Sequence, residues 1–208
     1  MDKKKNITEY RRQLRHRILE CAQAAFAAKG IRAVKMDDIA DELQISKRTL
    51  YEIYATKEAL LFAGLKANQE KYDRKLQEYV DGKERNVMEI LLFALNYYME
   101  GLDDTSAEYI ADLNRYPKIY EYFLERRAKR REHFRTFLRQ GSEEGYFRSD
   151  FNYEIMETII DGIQQSVHDS DLYARFPVKE VFYTMTQVIF RSICTSKGFE
   201  ELEKFRLM

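Results

Sequence analysis

An all-α fold is predicted by three observations. Only two prolines and eight glycines interrupt 208 residues, strong helix formers (Leu, Ala, Glu, Lys, Arg) are abundant, and apolar residues recur at helical spacing along much of the chain. An apolar fraction of 45% supplies an ordinary globular core, and the length suits one large domain or two small ones. Cys21 and Cys194 lie far apart with no CxxC spacing, and His16, His133 and His168 are equally scattered, so neither a metal site nor a cofactor is expected. No apolar run approaches 18 residues, and the lysine-rich start lacks the apolar stretch of a signal peptide. The expectation is a cytoplasmic protein without a membrane partner.

The first helix is expected to begin near Thr8, a suitable N-cap. Leu14, Ile18, Ala22, Ala25 and Phe26 form its apolar stripe, Lys29-Gly30 its stop, and Arg11, Arg12, Arg15 and Arg17 its other face. A second, short helix spans about Met36 to Leu43, with Asp37 and Asp38 at the positive end of its dipole. After a three-residue break, Ser46 can cap a third helix by accepting from the Thr49 amide or its neighbour. Ile39, Ala40, Leu43, Ile45, Leu50 and Ile53 can interlock, with Ala40 small enough for a close crossing, as a helix-turn-helix requires. Lys47, Arg48, Thr49, Glu52, Tyr51 and Tyr54 are left facing outward. The pattern brings charge-assisted donors and a hydroxyl to one helix end, suited to base edges and phosphates. Charge agrees: residues 1–66 hold 14 Lys and Arg against 9 Asp and Glu, while the rest hold 21 against 26.

The run KGIRAVKMDDIADELQISKRTLYEIYATKEAL, from Lys29 to Leu60, resembles the DNA-binding signature of the TetR family of bacterial transcriptional regulators through IRAV, DIA, ISKRTLY and TKEAL. The resemblance implies a homodimer with a DNA-binding head, residues 1–56, on a helical effector-binding and dimerisation body, residues 57–208. It implies a double-stranded DNA operator and a small-molecule effector as partners, and the activity of a repressor. Ser46, Lys47, Arg48, Thr49 and Tyr51 fall where the family contacts DNA, and Lys57 falls on its phosphate-binding lysine. Four positions depart. Gln44 stands where the family has glycine, and a left-handed conformation there costs about 1 kcal/mol. Ile53 replaces a histidine or tyrosine, Tyr54 a phenylalanine, and Lys35 a capping threonine, although the charge of Lys35 can restore a phosphate contact. Tyr51 and Tyr54 could instead be core rings with surface hydroxyls.

The chain then continues as helices: a long fourth from Lys57 toward Tyr79, a fifth from about Glu84 to Glu100, and a sixth after the Asp103–Ser106 loop. An arginine-rich seventh opens at Pro117 and ends across Gly141 to Asp150; two apolar helices follow around a loop holding Pro177. The fifth to seventh helices are rich in aromatics, and the resemblance places an effector pocket here. Phe93, Tyr97, Tyr109 and Phe123 are candidate walls, with Gln164 and His168 as polar lids; aromatics at helical spacing are more often core than pocket. On the last two helices, Ile155, Ile159 and Ile163, and Phe182, Met185 and Ile189, belong to apolar stripes wide enough for a two-fold interface, with burial inside the monomer as the alternative.

An enzyme is not expected. The chain has no glycine-rich phosphate loop, no HExxH spacing, and no evident nucleophile with a base beside it. A helical protein-interaction module would explain the amphipathic helices but leaves ISKRTLY without a purpose. An effector-independent DNA-binding protein would use the head alone.

Overall fold

The computed structural model describes residues 2–113, 115–150 and 152–206, with the side chains of residues 2–8 and of His168 left aside. Eleven helices are found among the described residues, and the β structure among them is one isolated bridge, between Phe147 and Cys194.

Helix α1 spans Asp2–Lys29, longer than expected because residues 2–7 contain no glycine or proline to stop it. Thr8 therefore lies inside the helix and not at its cap. Leu14, Ile18, Ala22 and Phe26, one turn apart, are all buried. The helix ends at Gly30, whose φ of +81° lets the chain reverse. Helices α2 (Met36–Glu42) and α3 (Lys47–Ile53) follow. Ile39, Ala40 and Leu50 close over the α1 stripe, as does α4 (Lys57–Val80) through Leu60 and Leu61. Closeness of α1 and α4 depends on Gly64, where a Cβ would overlap the Gln23 side chain at 2.1 Å.

Helices α5 (Val87–Glu100), α6 (Ala107–Leu113) and α7 (Pro117–Glu143) open the body. Helix α5 starts three residues later than expected because Asn86 and Glu89 form a reciprocal capping box. Helix α7 runs through Gly141, which lies under the Phe147 ring, and the reversal falls at Gly145. Helices α8 (Tyr153–Asp169), α9 (Leu172–Arg175), α10 (Val178–Ile193) and α11 (Ser196–Leu202) complete the chain. The short α9 precedes the Pro177 loop, and α11, capped by Thr195, lies beyond what the apolar stripes predict. A second core joins Val87, Met88, Leu91, Leu138, Phe147, Ile193 and Phe205.

Head and body meet at α6. The Ser106 amide donates to the Ala27 carbonyl at 2.8 Å, and the buried Asp112 carboxylate accepts from the Arg32 amide at 2.7 Å. Tyr109 and Ile119 belong to the head's core, so packing crosses the sequence boundary at residue 57.

The two apolar stripes split, because each is too wide for one environment. Ile155 (61% exposed) and Ile159 (57%) face outward, as does Val188, while Ile189 is only 7% exposed and belongs inside. Ile163 is half-buried. Phe182 is also half-buried and stacks on Tyr98 with centroids 4.6 Å apart, and Met185 faces an internal cavity. Ile189, expected at a subunit interface, is thus buried within the monomer, and Phe182 packs inward against the body's core.

Candidate functional site

The turn between α2 and α3 has the hydrogen bonds of a Schellman end: Gln44 N–H to Asp41 O at 3.1 Å, and Ile45 N–H to Ala40 O at 3.0 Å. The motif needs a left-handed residue at its centre, and Gln44 takes φ +53° there in place of glycine. Ser46 Oγ then accepts from the Thr49 amide at 3.0 Å and lies 2.8 Å from the Thr49 hydroxyl. Both turns place the start of α3 at the surface. At the start of α2, Lys35 has no acceptor with which to cap, and only the reciprocal bond remains: its amide donates to Asp38 at 2.8 Å. Its ammonium is left at the exposed edge beside α3.

Lys47, Arg48 and Tyr51 (45% exposed) project from α3, with Thr49 half-exposed. Neither cation is idle. Lys47 Nζ sits 2.6 Å from Asp37, which pushes the ammonium's pKa up, and Arg48 Nε sits 2.9 Å from Glu52 on the next turn. Tyr54 differs from its sequence expectation as a DNA contact. It is 5% exposed and packed in the head's core, with the Arg15 guanidinium 5.2 Å above its ring, and such a ring has no face to offer a groove. Lys57 is also more occupied than expected. Its ammonium donates to the carbonyls of Ile31 and Val34 at 2.8 and 3.0 Å, tying α4 to the α1–α2 loop, with a third proton left over.

In the body, a cavity of about 650 Å³ opens between α4, α6, α7 and α8, reached also by α5, α9 and α10. Phe123 and Gln164 line it. Phe93 and Tyr97 line a different, shallower cleft of about 430 Å³ against Tyr79 and α11, where Phe93 stacks on Tyr79 at 3.9 Å. Tyr109 lines neither and is buried between head and body, where desolvation pushes its hydroxyl pKa up. The side chain of His168 lies outside the described residues. The sequence reading did not single out Tyr98, Tyr173 or the four arginines of α7 in the main cavity wall. Arg126/Arg130 and Arg127/Arg131 are each one turn apart, a spacing that could have indicated one inward-facing basic strip. Among the described residues no group of three or more His, Cys, Asp or Glu is placed to hold a metal, and no helix is long and apolar enough to cross a membrane.

Comparison with known proteins agrees with this geometry. The family model for bacterial regulatory proteins of the tetR family matches residues 18–63, from α1 to the first turns of α4. The HTH-type transcriptional repressor KstR2 of Mycobacterium tuberculosis is 28% identical over 151 residues, covering 70% of this chain and 75% of the repressor. The solved structure of that ketosteroid transcriptional regulator superposes with a TM-score of 0.56 at 25% identity, covering 88% of this chain and 95% of KstR2. A transcriptional regulator from Saccharomonospora viridis in complex with choline shares the fold, with a TM-score of 0.64 at 21% identity over 88% of this chain and 98% of its own. So does the fatty acid degradation regulator FadR of Bacillus halodurans, with a TM-score of 0.61 at 17% identity over 85% and 94% of the two chains. With a capped helix-turn-helix in the segment that matches the tetR-family model and a helical body behind it, the chain is similar to the TetR family of bacterial transcriptional regulators in its DNA-binding segment and in its overall fold.

Proposed function

We propose that this chain is a cytoplasmic repressor that binds a two-fold DNA operator as a homodimer and releases it when a small molecule fills the α4–α8 cavity. The observation that carries the reading is the first turn of α3. Ser46 fixes the helix start, and Lys47, Arg48 and Tyr51 stand exposed beside it with Thr49 half-exposed; Lys35, before α2, is exposed as well. Residues 1–56 make the DNA contacts, and residues 57–208 sense and dimerise. Lys57 serves both parts, because it holds the head's loop while its remaining proton can reach a phosphate. Repression follows the activity named for the relative KstR2.

Dimerisation supplies the spacing. One head covers one half-site, so a two-fold pair must set two α3 helices about 34–36 Å apart, or further by whole turns. Ile155, Ile159 and Val188 supply exposed apolar surface for that contact on α8 and α10. Ile159→Asp and Val188→Asp place a charge where the monomer leaves open space, so each should sediment as a folded monomer and lose operator affinity. Operator selection from a pool of random duplexes, followed by a salt titration, tests the DNA reading. Lys47→Ala and Arg48→Ala are expected to cost about 1–3 kcal/mol where a base is read and to lower the salt slope by about one where a phosphate is held. Variants that bind the selected duplex as the parent does would remove α3 from the interface.

A further inference from the structure

One wall of the main cavity is basic. Arg126, Arg127, Arg130 and Arg131 line it from α7, and Arg135 stands one turn beyond. Three carboxylates make ion pairs with these five guanidiniums among the described residues, and Glu132 and Glu154 also act on Arg135. Asp73 on α4 takes Arg126 at 2.7 Å and also Arg130, Asp161 on α8 takes Arg127 and Arg131, and Glu157 takes Arg135 in a two-point contact at 2.8–2.9 Å. The four guanidiniums that line the half-enclosed space thus share two ion-paired carboxylates, Asp73 and Asp161. An arginine fork matches a carboxylate or phosphate in plane, which a lysine does not.

Part of the remaining wall is apolar. Phe123, Leu124, Ile110 and Leu113 face the cavity, and so does Tyr98. Tyr98 is held at this wall by stacking on Phe182, with ring centroids 4.6 Å apart. Apolar walls on one side and arginines that share carboxylates on the other suit a molecule with both characters.

Asp73 already shows how the acidic end would be held. Each of its carboxylate oxygens meets one arginine, and Gln69 donates to it at 3.2 Å. It belongs to α4, the helix whose first residue, Lys57, holds the head's loop. We propose that the cavity binds an amphipathic anion, an apolar body ending in a carboxylate or phosphate, and that its acid group takes Arg126 and Arg130 from Asp73, loosening α4 from α7. The inference rests on the reading of the cavity as the effector site. Exchange of one acid for another on the same two forks keeps the guanidiniums paired, so the exchange itself is nearly balanced. Apolar burial of the ligand then tips it. Coupling to DNA arises because the ligand favours the state in which α4 has lost Asp73's contact.

Two fluorescent probes of matching shape test this. Anilinonaphthalene sulfonate carries an acid on an aromatic body; phenylnaphthylamine has the same body without the acid. The parent is expected to bind the sulfonate more tightly than the amine. Joint replacement Arg126→Gln and Arg130→Gln should lower sulfonate affinity about tenfold or more and leave the amine unchanged. Asp73→Asn should do the reverse: tighter sulfonate, unchanged amine, and weaker binding of the selected operator with no ligand present. Unchanged amine binding separates this gain from partial unfolding, whose exposed apolar surface would take up both probes. Decanoate and decyl phosphate should displace the sulfonate, the better of them identifying the acid group, while decanol should not. Equal binding of both probes, unmoved by either replacement, would overturn the anion assignment and leave the cavity a ligand site. Exclusion of both probes would overturn the effector reading itself.

Discussion

In the head, Lys47 and Arg48 rest on Asp37 and Glu52 at the open surface, whereas in the body Arg126 and Arg130 rest on Asp73 in a half-buried wall. The chemistry is the same, cation on carboxylate, and depth separates the outcomes. An exposed pair is worth about 0–1 kcal/mol, so a phosphate can replace the carboxylate at little cost. Arg126, with 22% of its side chain exposed, loses more than the exposed Arg130 when its carboxylate leaves, so its pairing favours exchange for another anion over simple opening. For Asp73, burial pushes the pKa up, yet Arg126 and Arg130 outweigh it and hold the carboxyl below its ordinary range. The head is thus built to exchange partners freely, and the body to favour exchange for a ligand of matching charge.

Packing sharpens the same contrast and gives the largest expected effect. Phe26 is fully buried in the head's core, while Phe123 is exposed to the cavity. Phe26→Ala should destabilise the protein by about 3–5 kcal/mol in urea unfolding, and Phe123→Ala by less than about 1 kcal/mol. Equal costs would mean that the cavity closes in solution and that the two regions do not differ as described.

Lys57 lies between the regions and comes next in size. Lys57→Met keeps the aliphatic stem but removes two charge-assisted bonds to the Ile31 and Val34 carbonyls, which stand in the loop that presents α2. The expected loss of stability is about 1–3 kcal/mol, with operator affinity falling in parallel. Weakened DNA binding at an unchanged melting temperature would make Lys57 a phosphate ligand alone.

Much of the head was legible in the sequence because its signals are local. A cap acts within three residues and a helix stripe within four, so Ser46 and the α1 stripe could be read from spacing, whereas the αL position at Gln44 was indicated by the family resemblance. Tyr54 was ambiguous for a non-local reason: its burial depends on α1, forty residues earlier, which places Arg15 over the ring. The body is harder still. Whether an aromatic of α5, α6 or α7 faces the cavity depends on how the other helices close around it: Phe123 and Tyr98 line it, and Tyr109 does not. Ile189 shows the same limit, since a stripe reveals an apolar face but not whether its covering is the same chain or another copy.

The smallest expected effect is the most direct test of the exposed pairs. Asp37 and Glu52 contribute little to stability as ion-pair partners, although Asp37 also lies in the first turn of α2, where the helix dipole makes a carboxylate worth about 0.3–1 kcal/mol. Asp37→Asn should therefore cost less than about 1 kcal/mol, and Glu52→Gln less again. Their larger influence is on which anion the cations meet. With the carboxylates present, Lys47 and Arg48 are half-neutralised, and a DNA backbone must both displace an internal acid and approach its charge. Once the acids are neutral, random-sequence duplex should bind several-fold more tightly at low salt, with the gain fading as the Debye length shortens toward about 8 Å at physiological ionic strength. Operator affinity should rise less, because base contacts in the groove are fixed by geometry and not by net charge, so the ratio of specific to nonspecific binding falls. The gain from Asp37→Asn should vanish in a Lys47→Ala background. Parent-like nonspecific binding by both variants at low salt would place these cations beyond the reach of phosphate and break the comparison at its head end.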